Sequence, residues 1–423
     1  MQNSRRCVLP GSGRRPPLNI QMPYPQFIAP LTPSNLPIQR CPVSREDASK
    51  RILIIKLGAL GDILMATPLL SALRTAYPDA HLSWMVEHTN QDAIDTNPFV
   101  DEVIAWEGGY WTDLMPRRWK KWFSLRRGFG FRWLASAFQF HRELRQRQYD
   151  VLISFHPEQW PLLVQGTGCS TAIGVFETQA RPGVKQRDYR HLYTDAYPAE
   201  ELPFHRTEKY LMPLNALGLP PSGVQMTMGF TSQDVEAVTA FLAENGLSEG
   251  KRFVVLAPKT TWASRCWPED RFSLLGDRLT HEMGLNIVLI GSGKEVDSVK
   301  RVAASMQVAP VTAAGCLSFR QIAALIARAS LVVSSDGGPM HVAAAVGTPY
   351  LALFGPTPVE GRAPLVGRGL SLMHPVPCGP CDKEQCPIVG EGHMRCLELI
   401  TVEEVLESAL RLLEGDPAVA QTG

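Results

Sequence analysis

The residues best suited to chemistry are Ser334 to His341, with the sequence Ser-Ser-Asp-Gly-Gly-Pro-Met-His. They follow a strand predicted at Leu331–Val333 and precede a helical pattern at 342–347. A strand that ends in an acid, two glycines and a proline presents free backbone N–H groups at a helix start, whose partial positive charge attracts phosphate. Asp336 and His341 flank this start and can hydrogen-bond to a sugar or a phosphate. The alternative is a tight turn whose glycines serve geometry alone.

A second candidate site is Lys56-Leu-Gly-Ala-Leu-Gly-Asp62, at the end of the apolar run Ile52–Lys56. Ligands in open parallel sheets bind at the carboxyl ends of strands. The spacing Gly-x-x-Gly matches neither the dinucleotide fingerprint nor a P-loop. Asp62 either caps the helix that follows or accepts a proton from an acceptor hydroxyl. A helix start lowers the pKa of such a carboxyl, whereas burial raises it.

The loop from Pro258 to Pro268 places cations and hydroxyls directly after another predicted strand. Its two cations and two hydroxyls suit a diphosphate. These residues are Lys259, Thr260, Thr261 and Arg265. Glu295 follows the next strand and is placed to hold ribose hydroxyls, as acids do in nucleotide-binding folds. The segment Gly291–Glu295 is not a P-loop, because a glutamate follows its lysine.

The elements that must position these residues alternate between apolar strands and amphipathic helices from Lys50 onward. The stretch Gly218–Gly223 has the composition of a linker. Two successive βα arrays therefore predict an α/β protein with two Rossmann-like domains, 51–222 and 223–423, that face a cleft. The predicted strands include Ile52–Lys56, His81–Val86, Glu102–Trp106, Asp150–Ser154, Phe253–Ala257, Leu285–Ile290, Leu331–Val333 and Pro349–Phe354. The predicted helices include Asp62–Tyr77, Arg206–Leu217, Pro268–Met283, Lys294–Met306, Ser318–Ala329 and Thr401–Leu413.

Composition indicates a globular chain without a dominant field. Among 423 residues, 42 basic and 41 acidic side chains leave a net charge of +1, which argues against a nucleic-acid partner. No stretch has the length and apolarity of a transmembrane helix. Residues 1–50 hold nine prolines, seven basic residues and two acids, so we predict a disordered Pro/Arg-rich extension without a signal-peptide core. Met22 is a second candidate start.

An insert at residues 110–148 breaks the alternation of strands and helices. It holds ten basic residues against two acids, interleaved with nine bulky aromatic residues. Such a pattern favours contact with anionic lipid headgroups, and the basic residues that we assign to the acceptor and membrane are Arg117, Arg118, Lys120 and Lys121. The alternative is a helical excursion packed on its domain with solvated arginines.

Four of the nine cysteines form the pattern Cys378-x2-Cys381-x4-Cys386-x9-Cys396 within the Cys-rich segment 378–396. The absence of a signal peptide indicates a reducing compartment rather than a disulfide framework. The spacing is compatible with a zinc knuckle, but zinc sites usually show two tight Cys-x2-Cys pairs and this segment has one. We therefore favour free thiols and predict no metal.

Together, these motifs resemble glycosyltransferase family 9, the bacterial ADP-heptose:lipopolysaccharide heptosyltransferases. The resemblance spans about residues 51–413. It rests on four motifs in order: the Lys-x-Gly-x-x-Gly-Asp start with Thr67-Pro68, the Thr-Thr…Arg-Cys-Trp-Pro loop, the Asp-Gly-Gly-Pro-Met-His turn and the cysteine-rich stretch. The long insert departs from the family pattern and leaves the identity of the acceptor open.

The resemblance implies a GT-B fold, with a lipid-linked saccharide acceptor held by the first domain and a nucleotide sugar by the second. Asp62 matches the general base of the family, and Glu295 matches the ribose contact. Thr260, Thr261 and Arg265 match phosphate contacts, although family members often have lysine at position 265. The turn that binds sugar and diphosphate comprises Asp336, Gly337, Gly338 and His341.

The implied activity is inverting, metal-independent transfer of heptose or a similar sugar, without a cofactor, at the cytoplasmic face of the membrane. Two alternatives remain open at this point. One is a sugar-nucleotide epimerase or hydrolase of similar fold, and the other is a nucleotide-binding scaffold that docks on membranes without catalysis.

Overall fold

The computed structural model describes residues 50–106, 139–155, 166–176, 190–198, 201–247 and 249–415. Both halves of this part of the chain are built on a parallel six-stranded sheet. The predicted extension before Lys50 and the insert residues up to 138 lie outside the described residues.

The first sheet has the strand order β3-β2-β1-β4-β5-β6, and every neighbouring pair is parallel. Its strands are β1 (Arg51–Ile55), β2 (His81–Glu87), β3 (Glu102–Trp106), β4 (Val151–Phe155), β5 (Thr171–Val175) and β6 (Asp195–Tyr197). The direction of winding reverses between β1 and β4, which is where open α/β sheets bind their ligands. The sequence analysis did not predict β5 or β6. With only three residues, β6 is too short for its side-chain alternation to be recognised.

The second sheet repeats this topology, with the order β12-β11-β10-β7-β8-β9. Its strands are β7 (Phe253–Ala257), β8 (Asn286–Leu289), β9 (Val311–Thr312), β10 (Leu331–Ser335), β11 (Tyr350–Leu353) and β12 (Gly369–Leu372). Here the winding reverses between β7 and β10. Each half is therefore a Rossmann-like α/β array, as predicted. The domain boundary at 222/223 stays a prediction.

Helices cover the faces of both sheets. They are α1 (Leu60–Ala66), α2 (Pro68–Ala76), α3 (Arg206–Leu211), α4 (Pro213–Ala216), α5 (Ser232–Glu244), α6 (Glu269–Met283), α7 (Val296–Ser305), α8 (Phe319–Arg328), α9 (Gly338–Val346), α10 (Val359–Arg362), α11 (Arg395–Glu398) and α12 (Val402–Glu414). Two predicted helices, 62–77 and 206–217, are each broken in two at a proline. The prediction of continuous helices is wrong there because proline lacks the N–H that a continuing helix needs and favours a first helical turn.

The helix α9, which follows the Gly-Gly turn, is held firmly in the core. Its residues 340–344 are all buried, and β10 before it is buried along its whole length. The helix ends at Gly347, whose φ of +82° lies in the left-handed region that favours glycine. The backbone N–H groups at the start of α9 are therefore presented from a rigid element.

Three polar contacts join the two halves around the cleft. The imidazole Nε2 of His205 lies 2.8 Å from the carbonyl oxygen of Ala363. The hydroxyl of Thr67 accepts a hydrogen bond of 2.9 Å from the backbone N–H of Thr227, in the segment that leads to α5. The guanidinium of Arg320 on α8 pairs with Asp95 of the first half. These contacts hold the carboxyl ends of the two sheets face to face.

Candidate active site

Asp62 lies in the first turn of α1, directly after β1, with its side chain 16% exposed. Its Oδ1 contacts Nη1 of Arg206, the first residue of α3. Lys56, at the end of β1, is completely buried, and its ammonium lies 4.7 Å from the centre of the Tyr210 ring. The carboxylate thus stands between two cations from different elements.

These cations set the charge of the carboxylate. Burial alone raises the pKa of Asp62, but the charges of Lys56 and Arg206 and the hydrogen bond from Arg206 outweigh it and lower the pKa to about 2. Asp62 is consequently ionised at neutral pH, as a proton acceptor must be. A carboxylate with so low a pKa is also a weak base, so its environment must change before it takes a proton efficiently.

His341 of α9 meets the start of α1 across the cleft. A Cβ placed on Gly61 would stand 2.8 Å from Cδ2 of the His341 ring. Burial lowers the pKa of His341 from 6.5 to about 4, although the charges of Asp336 and Asp62 oppose the shift. The ring is therefore neutral at pH 7. Its Nδ1 is buried and makes no hydrogen bond within the described residues, so this nitrogen is available to a ligand.

Asp336 is buried at the end of β10 and binds two partners. The hydroxyl of Thr357 donates a hydrogen bond of 2.5 Å to its Oδ2, and Nε of Arg265 lies 3.3 Å from the same oxygen. The side chain of Arg265 is only 9% exposed, and its Nε and Nη2 make no hydrogen bond to any described residue. Two buried guanidinium donors without hydrogen bonds are suited to the oxygens of a phosphate.

Arg265 also stacks on an aromatic ring. Its guanidinium carbon lies 3.6 Å from the centre of the Trp262 ring, and that of Arg362 lies 5.7 Å from the same ring. The carboxylate of Asp382 accepts hydrogen bonds of 2.7 and 2.9 Å from Nη2 of Arg362 and lies 3.8 Å from Nη2 of Arg265. This arrangement orients the planar cation, because cation–π stacking fixes the face and the carboxylates fix the edge.

The remaining predicted donor residues divide into two groups. Thr260 lies against the Gly-Gly turn, since a Cβ on Gly337 would stand 3.0 Å from its Oγ1. The space where a Cβ of Gly338 would lie is open, which allows a phosphate to approach the backbone. Lys259 pairs instead with Glu269, at 2.7 Å. Thr261 is exposed at the surface of the loop.

Glu295 is found at the carboxyl edge of the second sheet, one strand away from the phosphate loop. Its Oε2 accepts a hydrogen bond of 2.6 Å from the backbone N–H of Ser292 and thereby closes the turn after β8. The other carboxylate oxygen has no partner recorded among the described residues that would prevent a ribose contact. The predicted role of Glu295 stays a prediction.

Within the described residues, three cations oppose two carboxylates at the centre of the cleft. They are Lys56, Arg206, Arg265, Asp62 and Asp336. Because His341 is neutral, the excess charge is positive. An anionic donor such as a nucleoside diphosphate sugar therefore finds a complementary field here.

The Cys-rich segment braces the phosphate loop from behind. The hydroxyl of Ser264 donates a hydrogen bond of 2.5 Å to the carbonyl of Lys383, and its N–H donates one of 3.3 Å to the carbonyl of Glu384. Four free cysteines line a small cavity of about 20 Å³ beside this contact: Cys378, Cys381, Cys386 and Cys396. Across the described residues, no three His, Cys, Asp or Glu side chains are placed to hold a metal ion.

The predicted membrane residues Arg117, Arg118, Lys120 and Lys121 lie outside the described residues. The end of the insert is described, and it packs on the first sheet: Phe140 contacts Trp106 edge to face at 4.9 Å. No helix in the described ranges is both long enough and apolar enough to span a bilayer.

Several residues of this site were not predicted from sequence. The missed residues are Lys56, Arg206, Tyr210, Trp262, Thr357, Arg362 and Asp382. Trp262 was inside the predicted loop, so an aromatic next to cations was an available signal. Arg206 and Asp382 carried no such signal, because their partners are distant in sequence.

Comparisons with known proteins agree with this geometry. The family model described as glycosyltransferase family 9 (heptosyltransferase) matches residues 137–390. The chain is 29% identical over 343 residues to lipopolysaccharide heptosyltransferase 1 of Pseudomonas aeruginosa, an alignment that covers 79% of this chain and 87% of that protein.

Two solved structures share the fold. A glycosyltransferase family 9 protein from Veillonella parvula superposes with a TM-score of 0.70 at 22% identity, over 87% of this chain and 98% of that one. The E. coli heptosyltransferase WaaC with ADP superposes with a TM-score of 0.63 at 21% identity, over 86% and 99%. The expected GT-B fold with two Rossmann-like domains is confirmed.

Proposed function

The chain belongs to glycosyltransferase family 9, and on that premise we propose that it transfers heptose, or a similar sugar, from ADP-heptose to a lipopolysaccharide core or lipid A-type acceptor. The transfer is inverting and independent of a metal ion. The relative from P. aeruginosa, which the chain matches over most of its length, is a lipopolysaccharide heptosyltransferase. The solved WaaC structure that shares the fold contains ADP.

One observation carries the proposal: Asp62 and the Gly-Gly turn, which come from different sheets, meet at one place. The first residue of the carboxylate motif, Gly61, touches the ring of His341 in the turn. A base for the acceptor and a cradle for the donor diphosphate are therefore brought within reach of one reacting sugar, which is the arrangement that direct displacement requires.

The chemistry follows from this placement. Asp62 takes the proton of the acceptor hydroxyl while the oxygen attacks the anomeric carbon of the donor. The bond between that carbon and the diphosphate oxygen breaks, and ADP leaves with the electron pair. Arg265 and the backbone amides of Gly337 and Gly338 stabilise the charge that develops on the leaving diphosphate. A single displacement of this kind inverts the anomeric configuration.

The other donor contacts are assigned as follows. Thr260, beside Gly337, and the exposed Thr261 offer hydroxyls to the phosphates, and Glu295 holds the ribose. Asp336 orients the sugar and also holds Arg265 in place. Lys259 reaches the diphosphate only if it leaves Glu269.

The acceptor side of the proposal concerns the membrane. We place the protein in the cytoplasm, peripheral at the inner face of the cytoplasmic membrane. Support comes from the basic and aromatic composition of the insert at 110–148, which suits anionic lipid headgroups.

Incubation with ADP-heptose, with and without Kdo–lipid A as acceptor, tests the function. Release of ADP that depends on the acceptor, together with a heptosylated product seen by mass spectrometry, is expected. Turnover of the donor without acceptor would instead favour an epimerase or hydrolase. Binding of ADP-heptose without any turnover would favour a non-enzymatic scaffold.

A further inference from the structure

The contact between Arg206 and Asp62 is the starting point. Arg206 begins α3 next to His205, whose ring is fixed at both nitrogens: Nδ1 accepts from the N–H of Thr207 at 3.1 Å, and Nε2 lies 2.8 Å from the carbonyl of Ala363. The side chain of Arg206 is 28% exposed, whereas that of Asp62 is 16% exposed. The arginine is thus the more accessible partner of the pair.

The charged and titratable groups that act on Asp62 differ in their freedom to move. They are Lys56, Arg206 and His341. Lys56 is completely buried against Tyr210, and His341 is buried and neutral. Among these three groups, Arg206 alone is accessible to an incoming ligand. Its guanidinium also has the planar fork that binds carboxylate and phosphate.

We propose that Arg206 is a positioning residue that recognises an anionic group of the acceptor and exchanges Asp62 for that group when the acceptor binds. The inference rests on the proposed function. The acceptor carries such anions, as the carboxylate of its Kdo sugar and as the phosphates of lipid A. Once the guanidinium has turned to the anion, Asp62 loses a neighbouring positive charge and regains basicity at the moment when the acceptor hydroxyl arrives.

The exchange has a consequence for water. A water molecule that enters the site without acceptor brings no anion, so Arg206 stays on Asp62 and the carboxylate stays a weak base, with its pKa near 2. Wasteful hydrolysis of the donor is thereby suppressed. The same ion pair selects for a charged acceptor and against the commonest competing nucleophile.

The experiment compares wild-type protein with Arg206→Gln and Arg206→Lys. The matched control is Arg278→Gln, which removes a surface arginine of α6 that pairs with Glu282. Each protein is assayed for ADP release with Kdo–lipid A, with its Kdo carboxyl methyl ester and with its dephosphorylated form. The two altered acceptors distinguish carboxylate from phosphate as the recognised anion.

In wild-type protein, neutralising the recognised anion should lower kcat/KM by about tenfold or more, as expected for loss of a charged hydrogen bond. Arg206→Gln should be slow with all three acceptors and should not discriminate among them. Arg206→Lys should recover part of the discrimination, and Arg278→Gln should behave as wild type.

Two further readouts separate this role from a structural one. Removal of a neighbouring cation raises the pKa of Asp62, so the acid limb of kcat/KM against pH should move to higher pH in Arg206→Gln. Hydrolysis of ADP-heptose without acceptor should increase several-fold in the same variant. Equal discrimination in wild type and Arg206→Gln, with an unmoved acid limb and unchanged hydrolysis, would overturn the inference while leaving the transferase activity intact. Wild-type protein inactive with every acceptor would overturn the proposed function as well.

Discussion

Gly61 and His341 touch across the cleft so closely that a Cβ on residue 61 would stand 2.8 Å from Cδ2 of the histidine ring. Gly61 belongs to the turn that carries Asp62, and His341 to the turn that would cradle the donor. Since the ring is buried within α9, it has little room to yield. The two halves of the site are therefore in contact only because residue 61 has no side chain.

Gly61→Ala should lower kcat by about tenfold or more, because the methyl group pushes α1 away from α9 and misplaces Asp62. Gly338→Ala is the matched comparison, since the space at its Cβ is open. That variant should keep its free energy of unfolding but bind ADP more weakly, because the new methyl group occupies the approach of the phosphate. Calorimetry with ADP and urea unfolding measure both effects, and a Gly61→Ala enzyme with full activity would contradict the packing argument.

Asp62→Asn should lower kcat by roughly a hundredfold or more while leaving the affinity for ADP nearly unchanged. Asparagine keeps the size of the side chain and can still accept a hydrogen bond from Arg206, but it cannot take a proton. Asp297→Asn, in the first turn of α7, is the control for a carboxylate at a helix start. Near-normal turnover of Asp62→Asn would reduce the residue to a helix cap.

Arg265→Ala should weaken the binding of ADP-heptose and ADP alike, by about 2 kcal/mol or more, because a buried cation facing the diphosphate is lost. Asp336→Ala should weaken ADP-heptose more than ADP, since the proposed contact is with the sugar. Titration calorimetry with both ligands measures the difference. Equal losses of the two ligands in Asp336→Ala would leave Asp336 only its contacts with Arg265 and Thr357.

The stability of the protein should fall between pH 6.5 and about pH 4 through His341. Burial lowers the pKa of this ring to about 4, so the unfolded chain binds more protons than the folded one below pH 6.5. The full effect is roughly 3 kcal/mol of the free energy of unfolding. Urea unfolding of wild type and His341→Gln from pH 7 to 4.5 should show a smaller loss in the variant. Burial also lowers the pKa of His205, but that contribution is common to both proteins. Parallel pH dependences would refute the assignment.

Reversal of Arg117, Arg118, Lys120 and Lys121 to glutamate should abolish sedimentation with anionic vesicles and raise the KM for the acceptor. Each basic residue near an anionic surface contributes about 1 kcal/mol, which falls off within a Debye length. Binding of ADP should be unaffected, because the donor residues lie in the other half of the chain. If the folded quadruple variant still sediments with vesicles and keeps its acceptor kinetics, the insert serves structure and the acceptor is held elsewhere.

The sequence by itself determined the local parts of the site. An apolar run followed by glycines and an acid identifies a strand end and a helix start within about ten residues, so Asp62 and the turn at 334–341 were found without a structure. The proline breaks at Pro68 and Pro213 were also present in the sequence as signals. Amphipathic periodicity continued through both prolines, and for that reason two helices were predicted as continuous.

Only the tertiary structure decided which groups face Asp62. Arg206 lies 144 residues from its partner, and no local pattern distinguishes it from the other basic residues of the chain. The packing of α3 beside α1 selects it, and the burial of Lys56 under Tyr210 adds the second cation. Because a pKa depends on burial and on charges within a few ångströms, the basicity of the carboxylate is a property of the fold. The residue type determines only that Asp62 can carry a charge.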